Sequence, residues 1–193
     1  MLLSRLGLSP NAGAAEATLR QESSDSRFWA SAETGYATIK SSNGAQVSAL
    51  AAGIGANFAV LDRLAVGLGV RQSFSPQSSF SAYYTAFDVK ATYALTGAPL
   101  VLSRESVTMD SESVLEGKTA NEGGFRLQLG LAQYYLNSSS GAVPFSGIGA
   151  QAHYEFPSES KLNYLIGIKY DQVGNGKLTL SPIQLLGGIV LWL

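Results

Sequence analysis

Cysteine is absent from this chain. That excludes disulfides, thiolate nucleophiles and thiolate metal sites. Histidine occurs once, at His153, so a multi-histidine metal centre is excluded too. Charged side chains make up only 14% of the 193 residues, where soluble domains carry roughly 25%. The formal net charge is −1, which gives a nucleic acid no basic surface to bind. No apolar run reaches the ~18 residues of a transmembrane helix. Nucleotide fingerprints and metal-ligand spacings are missing as well, so no cofactor and no metal are expected.

What the chain does have is period-2 alternation. In Gly124-Phe-Arg-Leu-Gln-Leu-Gly-Leu-Ala-Gln-Tyr-Tyr135, Phe125, Leu127, Leu129, Leu131 and Tyr135 share one face. Arg126, Gln128, Gly130 and Ala132 share the other, the pattern of a β-strand with two unlike surroundings. The same rhythm predicts strands over 27–40, 46–60, 64–75, 82–95, 124–137, 145–156, 161–172 and 181–193. Turn signals separate them at Ser41-Ser-Asn-Gly44, Leu61-Asp-Arg63, Ser75–Ser79, Ser138–Pro144, Pro157–Ser160 and Gly174–Lys177. Eight strands with mostly short connections make an antiparallel up-and-down barrel. Residues 9–26 are polar and read as irregular.

Two barrels fit this alternation. A soluble ligand-binding barrel turns the bulky face inward, and a membrane barrel turns it to lipid. Three observations favour the membrane. The minor face is rich in glycine and alanine (Gly53, Gly55, Gly67, Gly69, Gly130, Gly147, Gly149, Gly167), as a narrow interior requires. Aromatics on the bulky face fall into two rows. Phe28, Phe58, Tyr93, Phe125, Phe156 and Tyr164 lie near one rim; Tyr36, Phe74, Tyr83, Tyr135 and Tyr170 lie near the other. Ten residues separate Tyr83 from Tyr93 and Phe125 from Tyr135. At ~3.3 Å per residue and ~40° tilt the rows stand roughly 25 Å apart, the height of a lipid-facing band. Finally, the bulky face carries almost no charge between the rows.

Over 27–193 this architecture resembles the small bacterial outer-membrane barrels of the OmpA/OmpX type. The resemblance implies the outer membrane of a Gram-negative bacterium and contact with membrane lipid, including lipopolysaccharide. It also implies insertion by the outer-membrane assembly machinery, a monomer, and both termini in the periplasm. Such barrels usually end on an aromatic residue, whereas this chain ends Gly188-Ile-Val-Leu-Trp-Leu193. Export implies a signal segment. Met1–Pro10 is short for one, although Asn11-Ala-Gly-Ala-Ala15 has the small residues of a cleavage region. Residues 1–26 thus read as a residual signal or as a tail.

Residues 96–123 break the rhythm with Arg104, Glu105, Asp110, Glu112, Glu116, Lys118 and Glu122. They form either a polar periplasmic insert, a solvated excursion first and a contact for peptidoglycan or a partner protein second, or an extra hairpin (99–109 with 113–121) that makes ten strands. The insert is favoured, because either face of the hairpin would show Arg104 or Glu105 to lipid.

The candidate site is the lumen. By parity Glu33, Arg71, Asp88, Lys90, Arg126, His153, Glu155, Lys161, Lys169 and Asp171 face it. Arg126, Glu155 and Lys161 are expected near the periplasmic end; Glu33, Arg71, Asp88, Lys90 and Lys169 nearer mid-height. Mixed signs in a space filled by side chains suggest a polar network that plugs the barrel; a narrow ion path is the alternative. His153 faces the lumen away from any lipid substrate, so it is read as a network member and the chain as no enzyme. The expected role is structural or surface-interacting. The alternatives are transport of a small apolar solute, hinted at by Tyr84 and Phe145 near the outer rim, and soluble ligand binding.

Overall fold

The computed structural model describes residues 20–74, 83–97, 99–109, 113–118, 123–138, 141–157 and 162–193. The chain divides into two units. The smaller holds a three-stranded sheet of β1 (Arg20–Ser26), β6 (Leu102–Met109) and β7 (Ser113–Lys118), in the order β1-β6-β7. The hairpin considered for the insert therefore exists: Arg104 pairs with Lys118 and Met109 with Ser113. It adds nothing to the barrel. The stretch read as irregular also contains a strand, β1, because its polar residues find backbone partners in this sheet.

The larger unit is a closed antiparallel barrel of eight strands. These are β2 (Phe28–Ser41), β3 (Gln46–Leu61), β4 (Leu64–Phe74), β5 (Tyr83–Ala94), β8 (Gly124–Ser138), β9 (Gly141–Phe156), β10 (Leu162–Gly174) and β11 (Thr179–Trp192). The expected eight-stranded barrel is thus the observed one. β5 pairs directly with β8 across the insert, and β11 pairs with β2 to close the ring. Closure leaves no sheet edge, which a lipid-facing sheet requires. The described residues contain no helix.

Two turns show local chemistry. Gly44 takes φ +89° in the β2–β3 turn, and Asn43 Oδ1 accepts from the Ala45 N–H at 3.1 Å. In the β10–β11 turn, Asn175 Oδ1 accepts from Lys177 and Leu178 N–H groups. The loop expected at Ser138–Pro144 shrinks, because β8 runs to Ser138 and β9 starts at Gly141, with Ser138 paired to Gly141. Beyond the apolar band neither face must be apolar, so alternation lapses while the ladder continues.

Burial sorts the two faces. Outward, Leu131 is 66% exposed, Ile54 65% and Leu185 64%; inward, Arg126 is fully buried and Asp171 1% exposed. The interior has apolar zones at both ends. Toward the β2–β3 turn, Ile39, Tyr84, Tyr134, Phe145, Val173 and Leu180 pack together. At the opposite end Trp29 and Trp192, paired in register with ring centroids 4.8 Å apart, pack with Leu165, Val190 and Leu100. Leu100 comes from the chain after β5, where its N–H bonds the Asp62 carbonyl at 2.6 Å.

Candidate functional site

Glycine makes room for the interior charges. Cross-strand pairing sets Glu33 opposite Gly53 and Gly188, Asp88 opposite Gly69, and Lys90 opposite Gly67 and Gly130. Arg71 faces Gly53, His153 faces Gly167 and Asp171 faces Gly149. A Cβ on Gly149 would overlap Asp171 Oδ1, one on Gly167 would crowd His153 Cβ and one on Gly53 would stand 3.2 Å from Arg71 Cβ, so at these positions the missing Cβ is space the polar side chain uses. The glycine-rich face and the interior charges are therefore two halves of one packing solution.

The charges fall into two groups. In the first, Arg71 donates from Nη2 to Asp171 Oδ2 at 3.0 Å and to the Tyr134 hydroxyl at 2.7 Å, and from Nη1 to Gln184 Oε1 at 3.2 Å. The Tyr134 hydroxyl donates to Asp171 Oδ2. Lys169 Nζ lies 2.8 Å from Asp88 Oδ2 and 3.8 Å from Asp171 Oδ1, and Arg71 lies 3.8 Å from Asp88. Two cations and two carboxylates balance, as burial of charge demands. Lys90 lines a small cavity with Glu33, Arg71, Asp88, Gln151 and Lys169. Its volume is about 20 Å³, room for about one water molecule.

The second group is a chain. Gln151 Nε2 donates to Glu33 Oε1 at 3.2 Å and lies 3.5 Å from His153 Nδ1. His153 Nε2 lies 3.3 Å from Glu155 Oε1, and Glu155 Oε2 is 3.6 Å from Arg126 Nε. Arg126 Nη1 donates to the Thr96 carbonyl at 3.0 Å. His153 is 3% exposed and held between Gln151 and Glu155. Among the described residues, no group of three or more His, Asp or Glu could hold a metal ion.

Nine of the ten residues assigned to the lumen are thus brought into the interior; Lys161 lies outside the described residues, as do residues 1–19. Of the aromatics assigned to the rims, Phe28, Tyr36, Phe58, Phe74, Tyr93, Phe125, Tyr135, Phe156, Tyr164 and Tyr170 are all exposed. The Tyr83 side chain is undescribed. Tyr134, Gln151 and Gln184 belong to the network and were not anticipated, although strand parity turns all three inward. Leu100 carried no such signal, because parity has no meaning outside a strand.

Comparison with known proteins follows the fold. The chain is similar to the solved structure of Neisserial surface protein A, with 14% identity, TM-score 0.62, and coverage of 88% of this chain and 99% of that one. The fold is that of a small outer-membrane barrel of the OmpA/OmpX type. Looser likenesses are Ail, the attachment invasion locus protein of Yersinia pestis, and the outer membrane protease OmpT of Escherichia coli. Ail shows 11% identity over 86% of this chain and 99% of that one, with TM-score 0.43. OmpT shows 10% identity over 91% and 98%, with TM-score 0.35. No protein-family profile matches the chain, and no curated protein matches it in sequence.

Proposed function

We propose that this chain spans the outer membrane of a Gram-negative bacterium as a monomeric barrel, with a structural or surface-interaction role and a lumen plugged by side chains. One observation carries the reading: the faces are inverted relative to a soluble protein. Large apolar side chains such as Leu131, Leu68 and Ile148 are more than 60% exposed, while six strand charges (Arg71, Asp88, Arg126, Glu155, Lys169, Asp171) are buried. An apolar surface wrapped round the whole barrel has no stable place in water. In lipid the same arrangement satisfies every strand. A ligand-binding barrel in solution would have the opposite polarity.

Membrane lipid, including lipopolysaccharide, and the assembly machinery are the partners this reading implies; the polar insert within 96–123 would lie on the periplasmic side, as a solvated excursion or in contact with peptidoglycan or a partner protein. The plug is supported by paired charges between two apolar zones, with a cavity of about 20 Å³ between them. No catalytic role is proposed, because His153 is enclosed on the face away from lipid. Membrane fractionation with heat-modifiable gel migration tests the location: a detergent-independent soluble protein would sink the proposal. Planar-bilayer recording tests the plug, with no stable openings expected. Steady large conductance would favour the narrow-pore alternative.

A further inference from the structure

The outward face of the barrel is not uniformly bulky. A groove of about 600 Å³ crosses it, lined on β11, β2, β3, β4 and β5. The strand register explains its shape. One outward row runs Phe87, Val70, Ile54, Ala32, Ile189, each paired with the next. The row beside it runs Leu68, Ala56, Ala30, Leu191. Three alanines thus form the floor where the flanking strands carry Phe, Leu and Ile as walls.

We propose that this groove seats one acyl chain of a phospholipid, an inference that rests on the membrane reading above. The lining decides the chemistry. It contains no charged residue, and its one polar residue, Ser31, is 8% exposed and turns its hydroxyl to the lumen beside Gly55. The part of the ligand it holds is therefore hydrocarbon. The floor is sealed, because β2 pairs with β3 and β3 with β4 without a break through these residues, so the chain stays outside the lumen. Four strand spacings of ~4.8 Å give the groove a length of roughly 19 Å. Strands tilted ~40° make this cross-strand row rise ~12 Å along the membrane normal, within the ~15 Å of one leaflet, so a tilted chain from one leaflet can follow it. Ala30 and Ala56 stand two residues from Phe28 and Phe58, at the rim assigned to the short turns, which selects a phospholipid of the periplasmic leaflet. A second copy related by a two-fold axis through the groove would set groove against groove and leave a void that forfeits dispersion contacts.

The test is native mass spectrometry of the barrel released from nanodiscs of phosphatidylethanolamine and phosphatidylglycerol. One phospholipid is expected to remain on the wild type and none on Ala32→Leu/Ala56→Leu. The control, Ala150→Leu/Ala152→Leu, adds the same volume to two outward positions of β9 and keeps the lipid. Equal retention by all three overturns the proposal. Should the filled variant fold poorly, the wild type answers alone: acyl-chain NOEs at the Ala30, Ala32 and Ala56 methyls must outlast those at Ala150 and Ala152, and equal lifetimes overturn the proposal. A barrel that never enters the nanodisc overturns the membrane reading itself, a separable result.

Discussion

Asp171 is the residue on which the interior turns. Its carboxylate takes the Arg71 guanidinium at 3.0 Å, the Tyr134 hydroxyl and the more distant Lys169 ammonium. Removing it leaves buried positive charge under-compensated, which costs ~3–5 kcal/mol for a broken buried pair. Asp171→Ala should lower the unfolding free energy of the barrel, read by urea titration in phospholipid vesicles, by that amount, while Asp171→Asn, which keeps an acceptor, should lose less. Equal losses would show that charge is not what Asp171 supplies. The glycines beside these charges are graded in the same way. A Cβ on Gly149 would overlap Asp171 Oδ1 and stand 3.2 Å from its Cγ, so Gly149→Ala must push the carboxylate off Arg71, at ~1–3 kcal/mol for overpacking. At Gly69 the nearest atom is 3.5 Å away. Gly69→Ala should therefore be neutral, or stabilising by ~0.4–1 kcal/mol through the unfolded chain. The same urea series reads both, and a larger loss at Gly69 would contradict the packing account.

At the scale of elements, the chain after β5 does more than connect. The Arg126 guanidinium bonds the Thr96 carbonyl, the Leu100 N–H bonds Asp62, and the Leu100 side chain is fully buried with Trp29 and Trp192. Leu100 therefore fills one mouth of the barrel, and the plug proposed above assigns it the part of a stopper there. The absence of cysteine makes this easy to test. Thr92→Cys places a thiol in the buried interior near that mouth. It should resist a charged thiol reagent in the folded barrel and react at least tenfold faster when Leu100→Gly is added. Fast labelling with Leu100 in place would remove the stopper. This element also marks where sequence reasoning stopped. The eight barrel strands were legible to within a few residues, because each has two faces in unlike media and period 2 records that contrast. β1 and the stopper were not. β1 is polar on both faces, and Leu100 is one apolar residue whose burial depends on contacts with strands distant in sequence.

At the scale of the whole molecule, the interior was legible from parity alone, but its wiring was not. Parity turns Arg71, Asp88, Lys169 and Asp171 inward; it cannot say that they meet within 4 Å, because that depends on the stagger between strands. The medium outside is the most consequential inference, and one outward substitution inside the apolar band, compared with one beyond it, separates the possibilities. Leu131, two-thirds exposed, lies between Phe125 and Tyr135 on the outward face of β8. If lipid surrounds it, Leu131→Arg places an unpaired charge near the midplane and costs ~2–4 kcal/mol. In a water-surrounded barrel the same change falls within the ±0.5 kcal/mol of ordinary surface substitutions. Lys40 offers the internal comparison: it is exposed at the penultimate position of β2, beyond Tyr36, where Lys40→Leu should change stability little in either medium. Refolding midpoints of both variants in vesicles check the pair. A silent Leu131→Arg in a barrel that still folds would mean that the apolar face does not meet hydrocarbon.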